Sequence, residues 1–487
     1  MKRILITALS LILAATAFAQ GSDDACLFSQ TYYQGTAKAL GMSNALGAIG
    51  GDMTAVCINP AGLGIFRNNE ITASIDLLYN LHNSTYYGEK NNAGKFGVTL
   101  PNVGFVGVKP RSNYRRLRFT QFGICLTRTN EFNLHTRARG INPTSSKIDN
   151  YLSQIDGYSP SDLQNAFPYT IYPAWCTNLI DIEQDEIGDY YDSPVPQGNI
   201  WQSQENRFKG RSEEWTFAGS ANYAERLFIG ISLGLNHIKR EGSRVFEESS
   251  LNNTSTSGFN DWNFTESISS IGWGLNMKIG VIYHVNNMLR LGAAFHSPTI
   301  YNFEETWQTE TQSQLDFITN KYISPESHYG YTFVSPLRCV GSVAFVIGQR
   351  GFVSLDAEYT NYGAAHFHAT ANDDYDYSGT NEMTKSTYGH TANFRLGTEW
   401  RLDGCYLRAG GAYYGSPYGL GNNNGSVKKA SVGITLPVSE HVSFDFAYEL
   451  TYGKEQFTLY DAGILGIESV TQQQYKNNLA STLRVRF

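Results

Sequence analysis

Four cations in this chain could hold an anion: Lys278, Arg290, Arg484 and Arg486. Each falls on the weaker face of a segment whose residues alternate in polarity, and so do Asp356, Glu358, Asp445 and Glu449. Lys278 and Arg290 are the candidates for gripping a ligand carboxylate. Acids and bases that share such faces more often neutralise one another in a buried charge network. His366-x-His368 sets two imidazoles on one strand face, as a haem ligand would need, although a surface-loop or interfacial pair explains them better. The six cysteines match no zinc spacing. Cys26 and Cys57 belong to one segment and could pair. Cys125, Cys339 and Cys405 fall in strand-like runs as small apolar fillers, and Cys176 falls in a long connection. Asp373-Asp374-Tyr375-Asp376 could hold calcium, but reads better as a solvated acidic loop. There is no GxSxG motif, and spacing alone identifies no nucleophile beside a base. The expectation is a non-enzyme without cofactor or metal.

The two ends of the chain indicate what must position these residues. Met1 to Ala19 has the layout of a signal peptide, with Lys2 and Arg3, then apolar Ile4 to Ala15, then Ala17-Phe18-Ala19 as a small-x-small cleavage site. Gln34 to Phe66 is built from Gly, Ala, Ser, Asn and apolar residues, and Asp52 is its only charge between Ala39 and Ile65. A mature N-terminus is usually exposed and polar, so this segment needs shelter. At the other end, Leu479, Leu483, Val485 and Phe487 share one face of a period-two strand, opposite Ala480, Thr482, Arg484 and Arg486. A last strand ending in Phe487 resembles the signal read by the Gram-negative barrel-assembly machinery. The net charge of -7 argues against a nucleic-acid partner.

Mean hydropathy is -0.31, with 31 Tyr and 47 Gly, and nothing after the leader is long and apolar enough for a membrane helix. Alternation is clear in 226–236, 271–284 and 442–451. In the first, Leu227, Ile229, Ile231, Leu233 and Leu235 oppose Phe228, Gly230, Ser232, Gly234 and Asn236. A face of Gly, Ser and isolated charges suits a filled or watery barrel lumen and would spoil a dry sandwich core. Such segments recur from 69–82 to 472–487 and give about 14 strands, an even number as single-chain bacterial barrels have. The expected architecture is an all-β transmembrane antiparallel barrel with an N-terminal hatch of short helices inside its lumen. Residues 1–19 are the leader, 20–68 the hatch and 69–487 the barrel. Tight turns at Ala224-Glu225, Asn286-Asn287, Gln349-Arg350 and Asp403-Gly404 mark the periplasmic end.

The largest extracellular connection is expected at 137–210. Ile148, Tyr151, Leu152 and Ile155 have helical spacing, and Ser159-Pro160 looks like the start of a second short helix. Phe167, Tyr169, Tyr172 and Trp175 follow, then an acidic run from Asp181 to Asp192. The segment reads either as a folded lid with a solvated edge or as an apolar landing groove. Ile148, Leu152, Phe167, Tyr172 and Trp175 are the groove candidates.

Three blocks carry a family resemblance. Gly41-Met42-Ser43-Asn44-Ala45 with Asn59-Pro60-Ala61-Gly62-Leu63 resembles the hatch of the FadL/TodX outer-membrane transporters of hydrophobic compounds. Gly272-Trp273-Gly274-Leu275-Asn276, Leu289-Arg290-Leu291-Gly292 and His296 to Phe303 agree, and Asp356 to Tyr362 agrees more weakly. The resemblance implies a fourteen-stranded, plugged barrel in the Gram-negative outer membrane. It implies passive uptake of long-chain fatty acids or aromatic hydrocarbons. Capture would be at an extracellular apolar groove, with passage beside a hatch that Asn59, Pro60, Ala61, Gly62 and Leu63 help to gate. Exit would be sideways into lipid, where one strand kinks inward. The family's ligand residues do not map onto Lys278, Arg290, Arg484 or Arg486, so the substrate stays open. Asn59 and Pro60 also make sense without the family, as a cap and first position of a short helix. The alternatives are a haem receptor, for which the chain is short, and an accessory barrel of a secretion system.

Overall fold

The computed structural model describes residues 21–111, 116–184, 189–251, 258–316, 318–370, 375–419, 423–460 and 466–487. The leader at 1–19, Asp185 and Glu186 of the acidic run, and Asp373 and Asp374 of the calcium candidate lie outside them.

Fourteen strands close into one antiparallel barrel. They are β1 (Glu70–Tyr86), β2 (Glu89–Pro110), β3 (Leu117–Glu131 and Leu134–Asn142), β4 (Ile200–Tyr223), β5 (Leu227–Ser250), β6 (Phe259–His284) and β7 (Leu289–His296 and Ile300–Leu315). After them come β8 (Thr319–Ile323, Ser327–Val334 and Arg338–Ile347), β9 (Gly351–Asn361 and His366–Ala369), β10 (His390–Leu402), β11 (Cys405–Tyr414), β12 (Val427–Pro437), β13 (Val442–Phe457) and β14 (Val470–Arg486). β14 pairs back onto β1 from Glu70↔Arg486 to Thr85↔Thr471, which closes the sheet. The alternation is the reverse of a soluble protein's. In β1, Ile71, Ile75, Leu77 and Tyr79 are exposed, while Glu70, Asp76 and Asn80 are buried. In β5 the outward residues are Ile229, Ile231 and Leu233. Apolar side chains therefore form the outer belt, and polar ones line the lumen.

Several strands outrun their hydrophobic alternation. β4 and β5 have 24 residues each and β6 has 26, where about 10 cross a bilayer. The surplus rises past the apolar belt at one end. There the outer face meets water, so Trp201 to Arg211 shows no apolar side. For this reason the large connection is shorter than 137–210: β3 runs on to Asn142 and β4 begins at Ile200, which leaves 143–199. The first hairpin likewise continues to a tight turn at Tyr87 and Gly88, both with positive φ.

The lumen holds the hatch, made of α1 (Ser22–Ser29), α2 (Ala37–Leu40), α3 (Met53–Ile58) and a 3-10 helix (Pro60–Ile65). The 143–199 connection folds as a lid of α4 (Lys147–Leu152), α5 (Pro160–Ala166) and α6 (Ile171–Cys176), with a two-stranded ribbon, Asp181–Gln184 and Asp189–Asp192. Ser146 caps α4, and Pro160 opens α5 at its first position. The lid core packs Ile148, Ile155, Leu163 and Ile171 against Tyr86, Phe246 and Trp262 of the strand ends. Buried Glu248 of β5 anchors it. Its carboxylate accepts from Ser146 Oγ (2.7 Å), the Lys147 N–H (2.9 Å), Gln202 Nε2 (2.7 Å) and Trp262 Nε1 (2.7 Å).

All six cysteines are free. The suggested Cys26–Cys57 pairing is not made. Cys26 in α1 packs with Tyr362 and Tyr388, whereas Cys57 in α3 packs in a separate cluster with Cys125. Cys125 is the buried filler expected of it. Cys339 is exposed, because its position on β8 points outward.

Candidate functional site

The hatch is seated by small residues on both sides of the contact. Asn59 caps the 3-10 helix, its Oδ1 accepting from the Ala61 N–H at 3.1 Å. Its Nδ2 donates to Gly47 O (2.8 Å) within the hatch and to Val281 O (3.2 Å) on β6. Pro60 follows at the first helical position, where a missing N–H leaves nothing unpaired. The wall makes room with bare backbone. A Cβ on Gly280 of β6 would lie 1.9 Å from Asn59 Oδ1, and one on Gly230 of β5 would lie 2.3 Å from Pro60 C. Ala61 packs on Phe228 and Ile282, Gly62 lies against Gly50, and Leu63 fills the space above Gly123.

The wall itself is incomplete beside the hatch. The β2–β3 ladder runs from Pro110↔Phe119 to Asn102↔Thr127 and stops there. β3 then breaks at Phe132–Asn133 and bends inward, so that Asn133 O accepts from lumen-facing Asn80 Nδ2 at 3.0 Å. Among the described residues, its second half pairs only with β4. Across the opening, Glu89 to Pro101 of β2 meets β3 and β4 through side chains alone. Asn91 Nδ2 reaches Arg139 O (3.1 Å), Lys95 Nζ reaches Phe208 O (2.6 Å), and His135 Nδ1 lies 3.3 Å from Gly94 O. Phe96, Val98 and Leu100 stand exposed on the outer rim. The hatch takes up bonds where β2 departs: the Tyr32 and Gln34 N–H groups donate to Thr129 O (2.7 Å) and Arg128 O (2.9 Å).

The lumen cations are largely committed. Lys278 donates to Glu214 (2.5 Å) and to Cys57 O (3.0 Å), so its acid is on β4 and is none of the four expected. With His296 Nε2 2.8 Å from Ile58 O, it closes the carbonyl end of α3. Arg290 stands opposite His284 while Lys278 stands opposite His296. Six rungs separate the two candidates, roughly 20 Å, so they do not form one site. Arg484 pairs with Asp445 and Arg486 with Glu70. Arg395, which bridges toward Asp356 and Glu358, completes a network that sequence spacing did not assemble.

Between hatch and wall lies a cavity of about 30 Å³, lined by Tyr33, Glu214, Lys278, His296, Tyr301 and Arg338 among others. Arg338 holds Thr31 Oγ1 and Ser29 O, and its buried Nε has no partner among the described residues. The cavity adjoins an aromatic wall of Tyr301, Phe303, Tyr331, Phe333 and Phe367, with Phe28 of α1 stacked on Phe303 at 4.8 Å. Tyr301 and Phe303 fall in a block of the family resemblance, but no sequence signal singled out Arg338 or assembled the wall, because its residues come from three strands.

At the lid, Ile148 is fully buried and Phe167 nearly so, both in the lid core. Leu152, Tyr172 and Trp175 are half-buried at its margin, with Tyr172 edge-on to Tyr322 and Trp175 edge-on to Tyr191. His366 and His368 flank inward Phe367 and face away from the lumen, their rings 4.7 Å apart.

The closed ladder, hatch and bent third strand can be compared with solved structures. A Pseudomonas aeruginosa FadL homologue superposes with a TM-score of 0.57 at 11% identity, over 93% of this chain and 99% of that one. The chain has the FadL/TodX fold. The Pseudomonas putida toluene transporter TodX gives 0.53 at 13% identity, over 94% and 100%. The Ralstonia pickettii toluene transporter TbuX gives 0.51 at 15%, over 92% and 98%. No protein-family model matches the chain, and no curated protein matches it in sequence. Its apolar outer belt and closed ladder make the FadL/TodX-like barrel one of the transmembrane type.

Proposed function

We propose that this chain is a passive outer-membrane channel for hydrophobic molecules. The observation that carries the reading is the lapse of the β2–β3 ladder above Asn102↔Thr127, at the level where the hatch closes the lumen. An aqueous pore offers an apolar solute nothing, whereas a side opening returns it to lipid without a full crossing of water. The half-buried lid margin at Leu152, Tyr172 and Trp175 supplies extracellular capture, and the aromatic wall beside Phe28 supplies an apolar path inward. Asn59, Pro60, Ala61, Gly62 and Leu63 hold the hatch in the closed position, and ligand passage shifts it. Exit is lateral, past Phe96, Val98 and Leu100.

The solved relatives named as toluene transporters favour small aromatics. The cavity beside Arg338, Lys278 and His296 favours a molecule with an acidic head, such as a long-chain fatty acid. Assembly proceeds through β14 and Phe487, which is exposed at the end of the barrel.

Uptake of labelled oleate and of labelled toluene is to be measured in cells that lack their own channel and express this chain. Faster oleate entry, together with fatty acid in mass spectra of the purified protein, is the expected result. Entry of neither ligand above the empty-vector rate would overturn the reading. If Asn59→Ala and Pro60→Ala leave uptake unchanged at normal expression, the motif is architectural only.

A further inference from the structure

Two thiols face each other across the seam between hatch and wall. Cys57 belongs to α3, two residues before Asn59. Cys125 belongs to β3, two residues before Thr127, the last residue paired to β2. Their sulfurs are 3.8 Å apart, and Cys57 Sγ also lies 3.4 Å from the hydroxyls of Thr127 and Thr216. Both residues are essentially buried, at 0% and 1% exposure. A disulfide needs the sulfurs at about 2.05 Å, so the pair is short of bonding by roughly 2 Å. Side-chain rotation with a small settling of six-residue α3 covers that distance. Disulfides persist outside the cytoplasm.

We propose that Cys57 and Cys125 form a redox latch: a disulfide between them ties the hatch covalently to β3 just below its bend, and the structure described above is the dithiol form. The effect on transport rests on the reading of the hatch as a gate, but the bond does not. The oxidant is a disulfide compound, either the active-site disulfide of an extracytoplasmic thiol oxidase or oxidised glutathione. One cysteine thiolate attacks a donor sulfur, forms a mixed disulfide and expels the first donor thiolate. The second cysteine, deprotonated, attacks the cysteine sulfur of that mixed disulfide and expels the second donor thiolate. Two electrons pass to the donor, and the two protons end on its thiols. Because both sulfurs are shielded while α3 is seated, oxidant reaches them only when α3 lifts from β3.

The test treats the purified full chain with oxidised glutathione, denatures it, alkylates free thiols and maps the peptides by mass spectrometry. A linked Cys57–Cys125 peptide is expected, absent from Cys57→Ala and Cys125→Ala, with Cys339 found in no cysteine-linked peptide of the chain. Full alkylation of both thiols after oxidation overturns the proposal. In cells, oxidation should abolish oleate uptake by the wild type, dithiothreitol should restore it, and the Cys57→Ala chain should not respond to oxidant. Undiminished uptake through linked protein overturns the latch. If reduced wild-type protein carries no ligand, the transport reading fails while the peptide map still decides the bond. Cys57→Ser and Cys125→Ser serve if an alanine variant does not assemble.

Discussion

At the scale of the residue, the hatch depends on contacts that tolerate no extra atoms. Gly280→Ala places a methyl 1.9 Å from Asn59 Oδ1 and 2.9 Å from Pro60 Cδ, and the Asn59 amide cannot swing aside without giving up its bonds to Ala61, Gly47 and Val281. Gly280→Ala is expected to unseat the hatch and raise single-channel conductance to small ions in planar bilayers; wild-type conductance would refute this. Lys278 is the other sensitive point. Lys278→Met leaves Glu214 buried without its cation and should cost about 3–5 kcal/mol of barrel stability, while the Glu214→Leu/Lys278→Met pair should recover most of it. Urea unfolding in detergent, followed by tryptophan fluorescence, measures both. Half of this site was legible in the sequence. Asn59-Pro60 announces a capped helix start by residue type alone. Gly280 and Gly230 are ordinary members of a glycine-rich sheet until the hatch is laid against them, and Lys278 finds Glu214 only through strand order.

At the scale of the element, the lid hangs on one carboxylate. Glu248→Ala removes the acceptor for two donors at the head of α4, Ser146 Oγ and the Lys147 N–H, and for two on the wall, Gln202 Nε2 of β4 and Trp262 Nε1 of β6. Limited proteolysis should then cut within 143–199 while the barrel keeps its resistance to heat in SDS gels; a lid as resistant as wild type would contradict this. Lys147 adds a pH dependence. Its ammonium sits 4.4 Å from the Phe264 ring and 4.9 Å from that of Phe246, and burial pushes it from 10.5 down to about 8. A cation whose folded pKa lies below its unfolded one weakens the folded lid below about 8, and the loss disappears as pH rises past 10.5. Hydrogen exchange in α4 should therefore slow, relative to intrinsic rates, between those values, and Lys147→Met should remove the effect. The helix starts at Ser146 and Pro160 were readable from local capping chemistry. The upper strands were not, because a strand with water outside and a lid inside has no apolar face to mark it. Ile148 and Phe167, which spacing left open between a folded lid and a groove, pack in the lid core.

At the scale of the whole molecule, the barrel was legible because lipid enforces an apolar face on every second residue, as Ile229, Ile231 and Leu233 show. The opening in its wall was implied by the family resemblance alone and could not be placed from the residues. β3 bends at Phe132–Asn133 with neither proline nor glycine at the break, and the missing rungs concern β2 residues distant in sequence. Whether ligand leaves there is the central claim. A Cβ on Gly97 of β2 would stand 3.6 Å from Asn133 Nδ2 across the gap, so Gly97→Cys with Asn133→Cys, in a Cys57→Ala background, can staple the opening shut. Oleate uptake through the oxidised, stapled chain is the decisive measurement. The account predicts that uptake falls to background and returns on reduction, with fatty acid still co-purifying in both states. Full uptake with the staple formed would contradict it.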